Sequence, residues 1–183
     1  LVSTGDYEPP TTPTNLRVTT VSTNRIDMAW DPSTDNKGVS GYYLYRGEAR
    51  LGSYTGTNGY NDGLLANAQY AYTVTAYDTS GNESAPSNVL ECYTLPLPPT
   101  TSNVVCDRST DTWYNTGLFS FSSTDGFGVG RRQYYRVMWD TNPTYTFTGG
   151  EEQWGADAYT ASCQDSGIYY LHLQSCNGDG VPN

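Results

Sequence analysis

The chain has 183 residues, with 9 basic and 19 acidic side chains and a formal net charge of −10. Because nucleic-acid binding requires clustered lysine and arginine to neutralise phosphates, this balance excludes a nucleic-acid partner. Its apolar runs fall far short of the roughly 20 residues of a membrane helix, so we expect no membrane insertion.

Glycine, proline, serine and threonine separate short runs of alternating apolar and polar residues at intervals of roughly 8 to 12 residues. This spacing is typical of all-β sandwiches and barrels. Proline-rich "EPPTTPT" and "LPLPPTT" flank a block of about 80 residues and are predicted linkers. The predicted fold is therefore two tandem β-sandwiches, in four segments: an N-terminal strand with a linker (1–12), a first domain (13–94), a linker (95–99) and a second domain (100–183).

The first domain contains clear strand patterns. "RIDMAW" places Ile26, Met28 and Trp30 on one face, and "GYYLYRG" and "QYAYTVTAYD" alternate in the same way. With Trp30, "DPSTDNKGVSGYYLYR" and "GLLANAQYAYTVTAYDTSGNES", the block resembles a fibronectin type III domain of the kind common in bacterial secreted proteins. The resemblance implies a seven-stranded sandwich and carries little information about chemistry.

Two loops of this domain carry oxygen-bearing side chains and should meet at one end of the sandwich. The residues are Asp31, Asp35, Asn36, Asp78 and Asn82. They could bind Ca²⁺, which takes six to eight oxygen ligands. The alternative, which the sequence favours, is that "DPSTDNKG" and "DTSGNES" form Asx-turns that bond their own backbone. We therefore expect no cofactor, with calcium as the competing interpretation.

The second domain follows a similar pattern. Strands are predicted in "GLFSFSST", "QYYRVMWD", "TYTFTG", "AYTASC" and "IYYLHLQSC", after a first strand that contains Cys106. The segment resembles the Ig-like repeats found between fibronectin type III modules in large bacterial surface proteins. In such repeats one more strand follows the sixth, so the resemblance implies a sandwich that lacks its last strand in cis.

An unassigned strand-like stretch at the N-terminus could complete that sandwich. The predicted donor strand is Leu1, Val2, Ser3, Thr4, Gly5, Asp6 and Tyr7; the predicted acceptor edge carries Tyr169, Leu171, Leu173 and Cys176. Insertion into the next identical subunit would build a head-to-tail fibre. The alternatives are a strand supplied by a neighbouring covalent repeat, or a flexible tail beside a six-stranded domain.

Four cysteines, without a close pair, favour disulfides in an oxidising compartment over a metal site. The order of the strands predicts the pairs Cys92–Cys176 and Cys106–Cys163, and intermolecular bridges stay open as an alternative.

The sequence predicts no catalytic residue: Glu151 and Glu152 more plausibly solvate a turn than form a glycosidase acid pair. Aromatic side chains in loops or on outward positions could stack on surface glycans, with Trp113 and Trp154 as the main candidates and Tyr43, Tyr45, Tyr77 and Tyr114 beside them. The leading hypothesis is an extracellular or cell-surface, non-catalytic filament subunit with identical subunits as partners. The alternative is a spacer or carbohydrate-binding module pair of a larger secreted protein.

Overall fold

The computed structural model describes residues 5–109 and 117–183, and these form thirteen strands. No helix occurs in these two ranges, and the strands build antiparallel sheets, which confirms the all-β fold class. Within the same residues, no helix is long and apolar enough to span a membrane. The chain divides into two compact units: residues up to Leu64 with Gln69–Thr94, and Leu65–Ala68 with Leu95–Asn183.

The first unit contains seven strands in two sheets. They are β1 (Thr14–Val21), β2 (Ile26–Asp31), β3 (Val39–Arg46), β4 (Ala49–Tyr54), β5 (Asn58–Asn61), β6 (Gln69–Asp78) and β7 (Leu90–Tyr93). One sheet has the order β1-β2-β5 and the other β4-β3-β6-β7. This is the seven-stranded arrangement that the resemblance implied.

The core of the first unit follows the predicted alternation. Ile26, Met28 and Trp30 are at most 2% exposed, because every second side chain of a strand points to the same face of the sheet. The Trp30 ring contacts the edges of Tyr42 and Tyr54, with ring centroids 5.5 and 6.1 Å apart. Aromatic rings thus supply much of the volume that fills this sandwich.

The second unit has six strands in two three-stranded sheets. They are β8 (Val104–Cys106), β9 (Leu118–Ser123), β10 (Tyr134–Asp140), β11 (Glu152–Trp154), β12 (Tyr159–Ser162) and β13 (Tyr170–Cys176). The sheet orders are β11-β10-β13 and β12-β9-β8. Their shared core contains Phe121, Tyr135, Val137, Trp154 and Ala161.

The fourth strand of this unit differs from the prediction. "TYTFTG" forms no strand, and the strand that pairs with β10 is Glu152–Trp154. In the preceding segment, Tyr145 and Phe147 pack on each other with centroids 5.1 Å apart. The carboxylate of Glu151 accepts hydrogen bonds from the backbone N–H groups of Thr148 and Gly149, so these residues close a turn instead of extending a sheet.

Candidate functional site

Three aspartates from separate parts of the first unit meet at one end of the sandwich. Asp6 comes from the N-terminal segment, Asp35 from the loop between β2 and β3, and Asp78 ends β6. One carboxylate oxygen from each lies within 4.8 Å of the others. We call these three residues the acidic cluster.

Asp35 is held by its own loop. Its Oδ1 accepts hydrogen bonds from the N–H groups of Lys37 and Gly38, both at 2.8 Å, which is an Asx-type pattern. Gly38 has a φ of 103°, a backbone conformation that glycine adopts without a Cβ penalty. The turn therefore fixes the position of the Asp35 carboxylate and engages one of its two oxygens.

Asp78 is the most buried member of the acidic cluster, at 2% exposure. Its Oδ1 accepts hydrogen bonds from the N–H groups of Ser80 and Asn82, and its Oδ2 accepts one from the Asn82 side-chain amide at 2.7 Å. Burial raises the pKa of Asp78, but these hydrogen bonds outweigh burial and hold the pKa below its usual value. The buried carboxylate is therefore charged at neutral pH.

Asp6 is brought to the cluster by two asparagines of the loops. Asn82 donates its side-chain amide to the backbone oxygens of Asp6 and Glu8, at 3.2 and 3.4 Å. Asn36 donates to Asp6 Oδ1 and to Glu8 Oε2. The side-chain amide of Asn82 is thus engaged in hydrogen bonds within the fold.

Two oxygens of the acidic cluster are buried without a hydrogen-bond donor. In the part of the chain that the structure describes, neither Asp6 Oδ2 nor Asp35 Oδ2 has a partner. No described lysine, arginine or histidine forms an ion pair with any of the three aspartates. Buried carboxylate oxygens without a donor or a counter-charge are costly, so the arrangement is suited to a bound cation.

The cluster differs in membership from the sequence-based set. Asp31 is not one of the three converging carboxylates, and its Oδ1 is engaged by Arg17 at 3.1 Å and by the amide of Asn15. The side-chain amide nitrogens of Asn36 and Asn82 donate hydrogen bonds to aspartates of the cluster, and the role of their amide oxygens as ligands stays a prediction. Asp6 was missed because it lies 29 residues before Asp35 in the sequence, with no local pattern to connect it; the only hint is an acidic residue just before the proline-rich linker.

The described aromatic residues that were proposed for sugar stacking make contacts with other residues of their own unit. Trp154 is 3% exposed, and its Nε1 donates to the Asp157 carbonyl at 2.9 Å, so the prediction that it stacks on glycans is wrong. Tyr43 and Tyr77 stack on each other at 4.2 Å, and the Arg50 guanidinium covers Tyr43 at 4.5 Å. Tyr45 donates to Glu83 at 2.9 Å. Trp113 and Tyr114 lie outside the described residues.

A surface depression of about 550 Å³ lies in the second unit beside Trp154. Its polar and aromatic lining includes Tyr134, Glu152, Gln153 and Tyr159. The Tyr159 hydroxyl donates to Glu152 Oε2 at 3.3 Å, and burial raises the pKa of Tyr159. Such a combination of hydroxyl, carboxylate and ring edge could contact a sugar.

The predicted disulfides are not formed: all four cysteines lie among the described residues, and each carries a thiol. Strand register explains the failure of the Cys106–Cys163 pair. Cys106 pairs with Phe121 on one side of β9, whereas the Cys163 N–H donates to the Gly117 carbonyl on the other side. Four residues along the strand and two strand spacings across it separate the Cα atoms by about 16 Å, well beyond disulfide reach.

The proposed acceptor, β13, is an edge strand among the described residues, since β10 is its only strand neighbour. Leu171 and Leu173 pack partly buried against the core. Tyr169 lies one residue before the strand and stacks on Trp139 at 5.4 Å. Pro182 forms a bridge to Cys176 in the same chain, so one end of the edge is already paired.

The proposed donor is not a strand where the structure describes it. Residues Gly5 to Tyr7 are irregular, and Tyr7 is 86% exposed. Leu1, Val2, Ser3 and Thr4 lie outside the described residues.

Comparison with known proteins identifies part of the chain. Residues 11–93 match the Fibronectin type III domain family, so this part of the chain is a fibronectin type III domain. Exoglucanase B of Cellulomonas fimi is 37% identical over 157 residues, covering 80% of this chain and 14% of that protein. Chitinase A1 of Niallia circulans is 42% identical over 113 residues, covering 62% of this chain and 16% of that protein.

The solution structure of the fibronectin type III domain of human fibronectin type III domain containing protein 3 has a TM-score of 0.43 and 21% identity, over 51% of this chain and 94% of that one. Of the two bacterial relatives, Exoglucanase B and Chitinase A1, the chain spans only about one seventh of the length. The fibronectin type III domain is itself a non-catalytic module. The Ig-like repeat over residues 100–183 stays a prediction.

Proposed function

We propose that this chain is a non-catalytic spacer within a longer, extracellular polysaccharide-degrading protein. The supporting observation is its similarity to segments that make up 14% and 16% of an exoglucanase and a chitinase. Polymeric glucans and chitin are too large to enter a cell, so proteins that degrade them work outside it.

Three measurements on the whole chain test this proposal. A spacer should stay monomeric in light scattering, should not release sugar from cellulose or chitin, and should not sediment with either polymer. Sugar release by the chain alone would overturn the non-catalytic assignment. Sedimentation with a polymer would favour the alternative of a carbohydrate-binding module. In that case Tyr159→Ala, in the depression of the second unit, should weaken binding, and Tyr60→Ala in the first unit should not.

A second candidate function is strand-donated assembly with identical subunits. The observation that favours it is the edge strand β13, whose Leu171 and Leu173 are only partly buried. Backbone groups of an exposed edge can pair with an added strand. Because Pro182 already pairs at Cys176, a donated strand would pair along Tyr170–Gln174.

Light scattering separates the two candidates. The intact chain is compared with a chain that lacks residues 1–5, which leaves Asp6 in place, and the peptide "LVSTGDYEPP" is added to the shortened chain. Polymers of the intact chain only, and a shortened monomer stabilised by the peptide, would support strand donation. Monomers in both preparations, with no effect of the peptide, would leave the spacer function.

A further inference from the structure

We infer that the acidic cluster of Asp6, Asp35 and Asp78 binds one Ca²⁺ ion, which fastens the N-terminal segment to the loop end of the fibronectin type III domain. This inference is independent of the spacer proposal. It rests on three observations: the convergence of three carboxylates, the two buried oxygens without donors, and the source of Asp6 in a different segment from the loops.

The convergence alone would be unfavourable. Three carboxylates with oxygens within 4.8 Å repel one another, and their mutual repulsion is strongest where water is excluded. A divalent cation between them would attract each carboxylate and so offset this repulsion. The loop hydrogen bonds fix the Asp35 and Asp78 carboxylates before any ion arrives, which reduces the entropy that binding must overcome.

The buried oxygens point to a ligand more directly. Asp6 Oδ1 and Asp35 Oδ1 each accept hydrogen bonds, whereas the Oδ2 atom of each is buried and has no donor among the described residues. Folding removes these two oxygens from water, and no protein group among the described residues replaces the hydrogen bonds that they lose. A cation or a bound water beside them would supply the missing interaction. The same pattern on two neighbouring carboxylates fits a shared cation.

The chemistry of the candidate ligands indicates which metal ion would bind. All three candidate ligands are carboxylates, and no cysteine or histidine belongs to the cluster. Hard oxygen ligands suit Ca²⁺ or Mg²⁺ rather than zinc or copper. Three carboxylates leave several coordination positions to water or to further oxygens, such as the Glu8 carboxylate that shares Asn36 with Asp6. Ca²⁺ tolerates such an irregular set better than Mg²⁺, with a Kd on the order of 10⁻⁴ to 10⁻³ M as in extracellular modules.

Ca²⁺ binding would have its largest effect on the position of the N-terminal segment. Without an ion, the segment around Asp6 is held by asparagine hydrogen bonds, among them those from Asn36 and Asn82. With an ion, Asp6 would be tied to both loops, and the path of residues 5–10 into β1 would be fixed. Calcium would then set the stiffness of the segment that enters the domain.

The test uses the full chain after chelator treatment, with Ca²⁺ or an equal concentration of Mg²⁺ added. We expect calorimetry to give one Ca²⁺ per chain, and 10 mM Ca²⁺ to raise the Tm of the first unit by about 5 °C or more. Asp6→Asn and Asp35→Asn should each lower the Ca²⁺ affinity at least tenfold. Asp31→Asn is the matched control, because it removes a carboxylate of the same domain that pairs with Arg17 and does not belong to the cluster, and it should keep the affinity.

A second readout follows the N-terminal segment itself. Chymotrypsin should cleave after the exposed Tyr7 more slowly in Ca²⁺, and Asp6→Asn should abolish this protection although its folded domain is otherwise intact. The inference is wrong if Ca²⁺ produces no binding heat and no Tm shift. It is also wrong if Asp6→Asn and Asp35→Asn bind Ca²⁺ as the unmodified chain does.

Discussion

The Arg132 guanidinium donates two hydrogen bonds to the Asp125 carboxylate, at 2.6 and 3.0 Å, and the Arg132 side chain is fully buried. The Arg132 Cζ atom also lies 5.0 Å from the ring centroid of Tyr135 in the core of the second unit. A buried charge with a bidentate partner is stable only while the pair is intact. The stability of the second unit therefore depends on Asp125, the partner of the buried Arg132.

Asp125→Ala should destabilise the second unit by about 3–5 kcal/mol, because it leaves the buried guanidinium without its carboxylate. Urea unfolding followed by near-ultraviolet circular dichroism measures the change. The matched control is Asp31→Ala in the first unit, which breaks an ion pair that is about half exposed, and should cost at most about 1 kcal/mol. Equal losses of unfolding free energy in the two variants would show that the buried Arg132–Asp125 pair stabilises the protein no more than an exposed pair does.

Acid should weaken the second unit through the same pair. The hydrogen bonds from Arg132 hold the pKa of Asp125 below its usual value, although burial partly opposes them. The stabilisation is therefore fully present above the unfolded pKa, about 3.9, and is lost as the pH falls through the lower folded pKa. The urea midpoint should fall between pH 5 and pH 2, and Asp125→Asn should flatten this dependence. An unchanged slope in Asp125→Asn would contradict the assignment.

Trp154→Ala should unfold or strongly destabilise the second unit, by about 3–5 kcal/mol, since the ring fills its core. The ring lies 5.3 Å from Tyr135 and 5.8 Å from Phe127 between centroids. Thermal unfolding measures the loss. Ile168→Ala, at a side chain that is 65% exposed, is the control and should change stability by less than about 0.5 kcal/mol. A stable Trp154→Ala chain that loses only glycan binding would restore the sugar-stacking role.

Alternation was enough to predict the core faces of long strands and not of short ones. Ile26, Met28 and Trp30 repeat over a six-residue strand, so their shared face is visible in the sequence. β11 has only three residues and lies between glycines, so the sequence around Trp154 resembles a turn. In the fold the Trp154 ring is buried because it packs into the core beside Tyr135. Asp6 was missed for another reason: a contact between an N-terminal segment and distant loops depends on the tertiary fold and has no sequence period.

Gly41→Ala should destabilise the first unit by about 1–3 kcal/mol. A Cβ at Gly41 would lie 2.6 Å from the Tyr77 hydroxyl and 2.7 Å from the backbone oxygen of Tyr54, and the backbone oxygen cannot move away without disturbing the β3–β4 pairing. Chemical denaturation measures the effect. Gly167→Ala, where no atom lies within 4 Å of the added carbon, should be close to neutral. A neutral Gly41→Ala would mean that the two strands separate at little cost.

Peptide mapping of the chain, alkylated without reduction, should find no Cys106–Cys163 disulfide. The two residues pair on opposite sides of β9 and are offset along it, as the contacts with Phe121 and Gly117 show. Bringing two Cα atoms from about 16 Å to less than 7 Å would require β8 or β12 to leave the sheet. Cys106→Ser should consequently leave the mobility of the chain in non-reducing gels unchanged. Recovery of a linked Cys106–Cys163 peptide from the folded chain would show that the register of β9 with β8 or β12 is different.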